Sequence, residues 1–216
     1  MNHKQFESIE NYARENMDEL GLHGWPHVKR VYNLCMCISK LEKKEAVDLD
    51  ILKSAALLHD IAKHIEKNDN TLDHGYIGAE LAEKFLKSCE FSKDKINSVC
   101  RAIRAHTKTE KPLSIEAEIL HDADFIDKLG AVGVATVFIK ACLTNKTVEE
   151  VAEMFGKKEL KPCYVAKHVL WLKEKPRLYT KTGRKIAKKR RKFASSFFRE
   201  LINEIELKDF SQDLPV

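Results

Sequence analysis

Glycine and proline are scarce in this chain: its 216 residues hold 8 Gly and 5 Pro. That scarcity argues against a loop-rich, sandwich or low-complexity protein. No alternation of apolar and polar residues persists long enough to mark a half-buried strand, and no internal repeat is visible. The longest apolar stretch, Leu129 to Ile139, is too short to span a bilayer, so a membrane partner is not expected. The six cysteines (Cys35, Cys37, Cys89, Cys100, Cys142 and Cys163) form no C-x-x-C pair, which leaves no zinc-thiolate signature. No basic segment followed by an apolar one opens the chain, Met1 to Met17 being polar and amphipathic. The expected setting is therefore cytoplasmic, with reduced and mostly core thiols.

What is present is helical. Hydrophobic residues make up 44% of the chain and charged residues 33%, which suits amphipathic helices around a sizeable core. Periodicity predicts helices over residues 2–20, from about His27 to Leu41, and from a cap at Asp48 or Asp50 through Ala62. Others run from His74 to Leu86, Lys93 to His106 and Ile115 to Lys128 behind a Ser114 cap, and over Val134 to Leu143. Short helices follow at Thr147 to Phe155 and Pro162 to Leu172. A last long helix covers Thr182 to Glu206, with Ile186, Phe193, Phe197, Leu201 and Ile205 as its apolar stripe. The expected fold class is all-α. Residues 1–145 read as the core and 146–216 as C-terminal helices packed on it.

Charge is uneven. Lys157 to Lys192 contains 15 Lys/Arg against two acids, Glu159 and Glu174, a net of +13; with +5 overall, the remainder carries −8. A basic segment on an acidic body can bind phosphates or nucleic acid, and it can equally be a solvated helix face.

The most informative dipeptide is His59-Asp60, set in the apolar run from Ser54 to Ala62 that reads as a buried helix. A buried carboxylate costs several kcal/mol unless a cation compensates it. A divalent metal is one such cation, and an imidazole beside the carboxylate is a second ligand type for it. On a continuous helix, Lys63 lies one turn beyond His59 and could hold a phosphate beside the metal. Further candidates are His27, His74, His106 and the cluster Asp122-Ala123-Asp124. Asp122 and Asp124 are two residues apart and face nearly opposite sides of a helix, so both do not easily serve one metal. Asp124 shares a face with Asp127 and Lys128, whereas Asp122 fits a cap or a bridge to another helix.

In order, the pieces "PHVKRV", "AALLHDIAK", "HGYIGAE", "IRAHTK" and "DADFIDKLGAVG" resemble the motif series of the HD-domain superfamily of metal-dependent phosphohydrolases. The closing "YTKTGRKIAKKRRKFASSFFREL" is similar to the last helix of a small bacterial and archaeal branch that includes nucleotide pyrophosphohydrolases. Phe125-Ile126 stand where that branch typically has Arg-Leu. The resemblance implies an HD helical bundle with additional C-terminal helices. It makes His27, His59, Asp60 and Asp124 the ligands of one divalent ion (Mn, Mg, Fe, Ni or Co), and it puts His74 and His106 where relatives hold a second ion or contact phosphate. Asp60, Lys63, His74 and His106 are then the catalytic candidates, Lys63 and also Lys128 or Arg30 neutralise phosphate charge, and the expected partner is a phosphorylated small molecule, a nucleotide first. Two rival expectations are a nucleic-acid-binding protein using the acid-free stretch Lys181 to Lys192, and an HD module that senses a nucleotide without turnover.

Overall fold

The computed structural model describes residues 1–17, 24–42, 46–69, 71–107, 110–173 and 177–209. These are helical, with no strand among them, as the sequence predicts. The chain divides into two compact units: Met1–Asp124 with Leu178–Arg184, and Phe125–Arg177 with Lys185–Val216. The boundary expected near residue 145 falls inside the second of these.

The first unit holds α1 (His3–Glu15), α2 (Trp25–Leu41), α3 (Leu49–Leu58), α4 (Lys63–Asn68), α5 (His74–Ser88) and α6 (Lys93–His106), together with most of α7 (Ile115–Asp127). Helix α3 is its centre, packed against α1, α2 and α6, while α5 lies along α6 and α4 on α5. The run from Ser54 to Leu58 is buried on every side, which explains its lack of a polar face. Caps fix the helix starts. Asn2 and Gln5 form a capping box, Asp48 accepts from the amides of Asp50 and Ile51, Asp73 from those of Gly75 and Tyr76, and Ser114 from that of Ala117. Asp50, the alternative cap for α3, instead pairs with Lys95 and the terminal amine of Met1, each at 2.6 Å.

One expected helix ends early. The periodicity predicts α3 through Ala62, yet it stops at Leu58, and residues 59–62 form tight turns into α4. The His59 ring donates its Nδ1 proton to the Ala56 carbonyl, the acceptor that the Asp60 amide would use in a continuing helix. The next bonds shorten to three-residue steps, Ile61 to Leu58 and Lys63 to Asp60. The single-helix relation between His59 and Lys63 therefore does not hold, and Lys63 opens α4 instead.

The second unit contains α8 (Gly130–Leu143), α9 (Val148–Gly156), α10 (Tyr164–Lys173) and α11 (Lys181–Ile205) from Lys185 onward. Phe198 is fully buried, stacked on Phe155 with ring centroids 4.1 Å apart. The apolar stripe expected on α11 is a correction. The buried positions beyond Gly183 are Ala187, Ala194 and Phe198, whereas Phe193, Phe197 and Ile205 remain exposed. Two alanines and Phe198 thus form the buried line of this helix, and Phe193, Phe197 and Ile205 lie off it.

Candidate metal centre

His27 enters from the first turn of α2, which Pro26 can occupy because the amide it lacks has no helical partner there. His59 and Asp60 come from the turn after α3, and Asp124 from α7. His74 is the first residue of α5 and His106 the last of α6. These two helix ends meet because residue 75 is glycine: a Cβ there would lie 2.8 Å from Thr107 Cγ2 and 3.0 Å from Asp73 Oδ1.

The side chains converge around Asp60, one group on each of its oxygens. Oδ2 lies 3.5 Å from His27 Nε2 and 3.8 Å from His59 Nε2. Oδ1 lies 3.3 Å from His74 Nε2 and 3.6 Å from His106 Nε2. His27 Nε2 is also 3.3 Å from Asp124 Oδ1 and 3.4 Å from His59 Nε2. His27, His59, Asp60, Asp124 and His106 are all buried.

The donor chemistry fits a cation. His59 has its Nδ1 proton committed to the Ala56 carbonyl at 2.9 Å, and burial pushes its pKa down to about 4, with His106 and His27 working in the same direction against Asp60 and Asp124. A neutral ring held this way presents an Nε2 lone pair. Around His27 Nε2, two carboxylate oxygens and that lone pair then compete for one proton. Lone pairs and carboxylates facing one point are what a divalent ion takes up. The ligand atoms of His27, His59 and Asp60 lie within 4.8 Å of one another, as do those of Asp60, His74 and His106. Sulfur is no competitor, because burial and the nearby Asp124 and Asp122 hold the Cys35 thiol far above its usual pKa.

The second group has its own electrostatics. Burial opposes a charge on His74, but the adjacent Asp60 outweighs it and holds the His74 pKa above its ordinary value. Lys63 sits 3.3 Å from His74 Nδ1 and pairs with Glu66, whose Oε2 is 3.1 Å from the same nitrogen. Burial raises the Glu66 pKa, yet Lys63 and His74 together keep it below the usual carboxylate range. Glu66 is the polar neighbour that sequence reasoning missed. Its signal was the three-residue spacing from Lys63, legible only once α4 is seen as a helix.

Asp122 does not join the cluster. It is fully buried and accepts from the Tyr179 amide (2.9 Å), the Thr180 amide (2.8 Å) and the Thr180 hydroxyl (2.7 Å). It is thus a bridge to the start of α11, and Asp124 is the aspartate of the pair that reaches His27. Arg30 is half-buried on α2. Lys128, in the second unit, lies 5.4 Å from the centre of the Trp171 ring.

Comparison with known proteins shows what the chain is similar to. The HD domain matches residues 24–129. The chain is 28% identical to the uncharacterized protein YpgQ of Bacillus subtilis over 94% of each chain. It is 41% identical to ribonuclease Y of Borreliella afzelii over 87 residues, 40% of this chain but only 16% of the ribonuclease. Among solved structures it resembles a predicted HD superfamily hydrolase from an uncultured Thermotogales bacterium (28% identity, TM-score 0.66, covering 92% of this chain and 91% of the other). It also resembles YpgQ in complex with ADP (25% identity, TM-score 0.66, covering 93% and 95%).

Proposed function

The chain belongs to the HD-domain superfamily, and from that premise we propose that it is a metal-dependent phosphohydrolase acting on nucleotides or related phosphate esters and anhydrides. One observation carries the reading: imidazoles and carboxylates from α2, the turn after α3, and α7 meet at His27, His59, Asp60 and Asp124. These four would hold a divalent ion, with Mn or Mg better suited than structural zinc to a hard, thiolate-free set, and Fe, Ni and Co also compatible. Such an ion supplies Lewis acidity and an acidified water.

The chain's own groups do the rest. Asp60 is buried between the two histidine pairs and can take up a proton from the attacking water. Lys63 supplies positive charge to a phosphoryl oxygen. His74 and His106 hold or pass a proton at the leaving oxygen. Burial of the ligand atoms excludes bulk water, which strengthens each of these interactions. The ADP complex of YpgQ supports a nucleotide as ligand. A cytoplasmic setting remains part of the proposal; no helix of the described residues is long and apolar enough to cross a membrane.

The test is a metal-by-substrate screen of chelator-stripped protein against nucleoside mono-, di- and triphosphates, scoring phosphate separately from pyrophosphate. Release should require added metal, and Asp60→Asn should reduce it on the order of a thousandfold. Undiminished turnover by Asp60→Asn would overturn the mechanism. Nucleotide binding without turnover under every metal would favour the sensing module. A second reading, hydrolysis of RNA phosphodiesters, draws on the 87-residue likeness to ribonuclease Y; a short RNA included in the screen separates the two.

A further inference from the structure

The outward face of α8 carries no charge. Its exposed residues Ala131, Ala135, Ile139 and Leu143 recur every four positions, and Lys140, the one charged residue of this helix, is buried. Helix α11 runs beside α8 in the same direction. A Cβ on Gly130 would lie 3.1 Å from that of Arg190, and eight residues further along both helices Phe138 stacks on Phe198 with ring centroids 6.0 Å apart. Phe193 and Phe197 stand one turn apart on α11, 48% and 36% exposed, and Phe197 meets Phe138 edge-on. Between the two helices lies a groove of about 470 Å³, lined by Ala131 and Val132 on one side and by Ile186, Lys189, Arg190 and Phe193 on the other. Contiguous exposed apolar side chains of this kind mark a place of association.

We propose that this groove docks an acidic amphipathic helix of a partner protein, with its apolar side chains between α8 and the two phenylalanines and its acids against α11. Charge decides the occupant. Helix α11 has no acid before Glu200, and its Lys185, Lys188 and Lys189 are exposed, with no acid among the described residues paired to them. Lys189 lines the groove itself, and Arg190, also in the lining, is fixed there by donating to the Ile126 carbonyl at 2.7 Å. One wall is thus apolar and the other both apolar and cationic. A second copy seated on the same face about a two-fold axis would bring two such cationic helices together, which like-charge repulsion opposes. An acidic helix neutralises the one that is there. Helix α8 spans 14 residues, about 21 Å, so about four turns of a partner lie along it, with apolar anchors at i, i+4 and i+7 entering the groove. The proposal is independent of the metal centre.

The probe is a fluorescein-labelled, end-capped helical peptide of about 16 residues, with Leu at the anchor spacing and Glu between, titrated into the full chain. Wild type should bind it about 10-fold or more tightly than a version with Lys for Glu or one with Ser for Leu. Phe193→Ser and Ala135→Glu should each weaken binding by about 10-fold. Lys189→Glu should move the preference toward the Lys version, a gain that loss of folding cannot imitate. All three positions are exposed, so thermal midpoints should stay at the wild-type value. The inference is overturned if wild type ignores the Glu peptide, if the Glu and Lys versions bind alike, if the Ser version binds as well as the Leu one, or if Phe193→Ser changes nothing. A dimer in sedimentation that Phe193→Ser dissociates would overturn it in favour of a second copy. Phosphatidylglycerol vesicles that bind through Phe193 and displace the peptide would overturn it in favour of a membrane surface.

Discussion

At the scale of single residues, protonation of His59 is coupled to folding. Its native pKa of about 4 lies below the ordinary 6.5, mainly because the ring is buried. Below pH 6.5 the unfolded chain therefore binds a proton that the native chain refuses. The stability this represents is complete above about pH 6.5 and is lost as pH falls toward 4. In chelator, urea midpoints measured at pH 7 and pH 4.5 should fall with acid, and His59→Gln should remove up to roughly 3 kcal/mol of that fall. An identical acid slope in both proteins would refute the assignment. The residues of this cluster were legible in the sequence because buried polar groups stand out against apolar neighbours. The choice between Asp122 and Asp124 was legible only as an alternative, since two-residue spacing says they diverge and not which way either points. Glu66 was not legible, because an acid near a lysine on a surface turn looks like any solvated ion pair.

Among the elements, helix positions followed from capping residues and periodicity, and Lys93–His106 matched to the residue. The break after Leu58 did not, because nothing in an apolar run announces that a histidine side chain will take a helix carbonyl. The stripe on α11 was misassigned because Phe193 and Phe197 were taken as inward positions, whereas Ala187, Ala194 and Phe198 are the buried ones. Gly183, in the first turn of the same helix, is a place of close approach. In a helix interior, Gly→Ala ordinarily stabilises by about 1 kcal/mol. Here a Cβ would lie 2.5 Å from Asp122 Oδ2 and 2.6 Å from Thr180 Oγ1. Asp122 is fixed by three donors and cannot retreat, so the steric penalty of about 1–3 kcal/mol should prevail. Gly183→Ala should therefore lower the thermal midpoint by a few degrees, whereas a midpoint at or above wild type would show that the Asp122 side chain gives way.

Across the whole molecule, the charge imbalance sets a separate expectation. Lys185, Lys188, Lys189 and Lys192 are exposed on α11, while Arg184, Arg190 and Arg191 give protons to backbone carbonyls. Retention on single-stranded RNA should be weak and salt-sensitive. Replacing Lys185, Lys188 and Lys192 by Ser should reduce the salt slope by up to about 2, roughly 0.7 for each phosphate no longer neutralised. Mn²⁺ affinity should not change in that variant. Tight binding that persists at high salt would instead favour nucleic acid as the principal ligand.

The bridge from Asp122 to Thr180 has a practical corollary for anyone seeking a minimal version of the protein. The first unit leaves off at Asp124 and resumes at Leu178, so a stop codon anywhere between would strip a buried carboxylate of its three donors. Excising the intervening stretch and splicing the ends with a flexible linker would keep those donors on the same chain as Asp122.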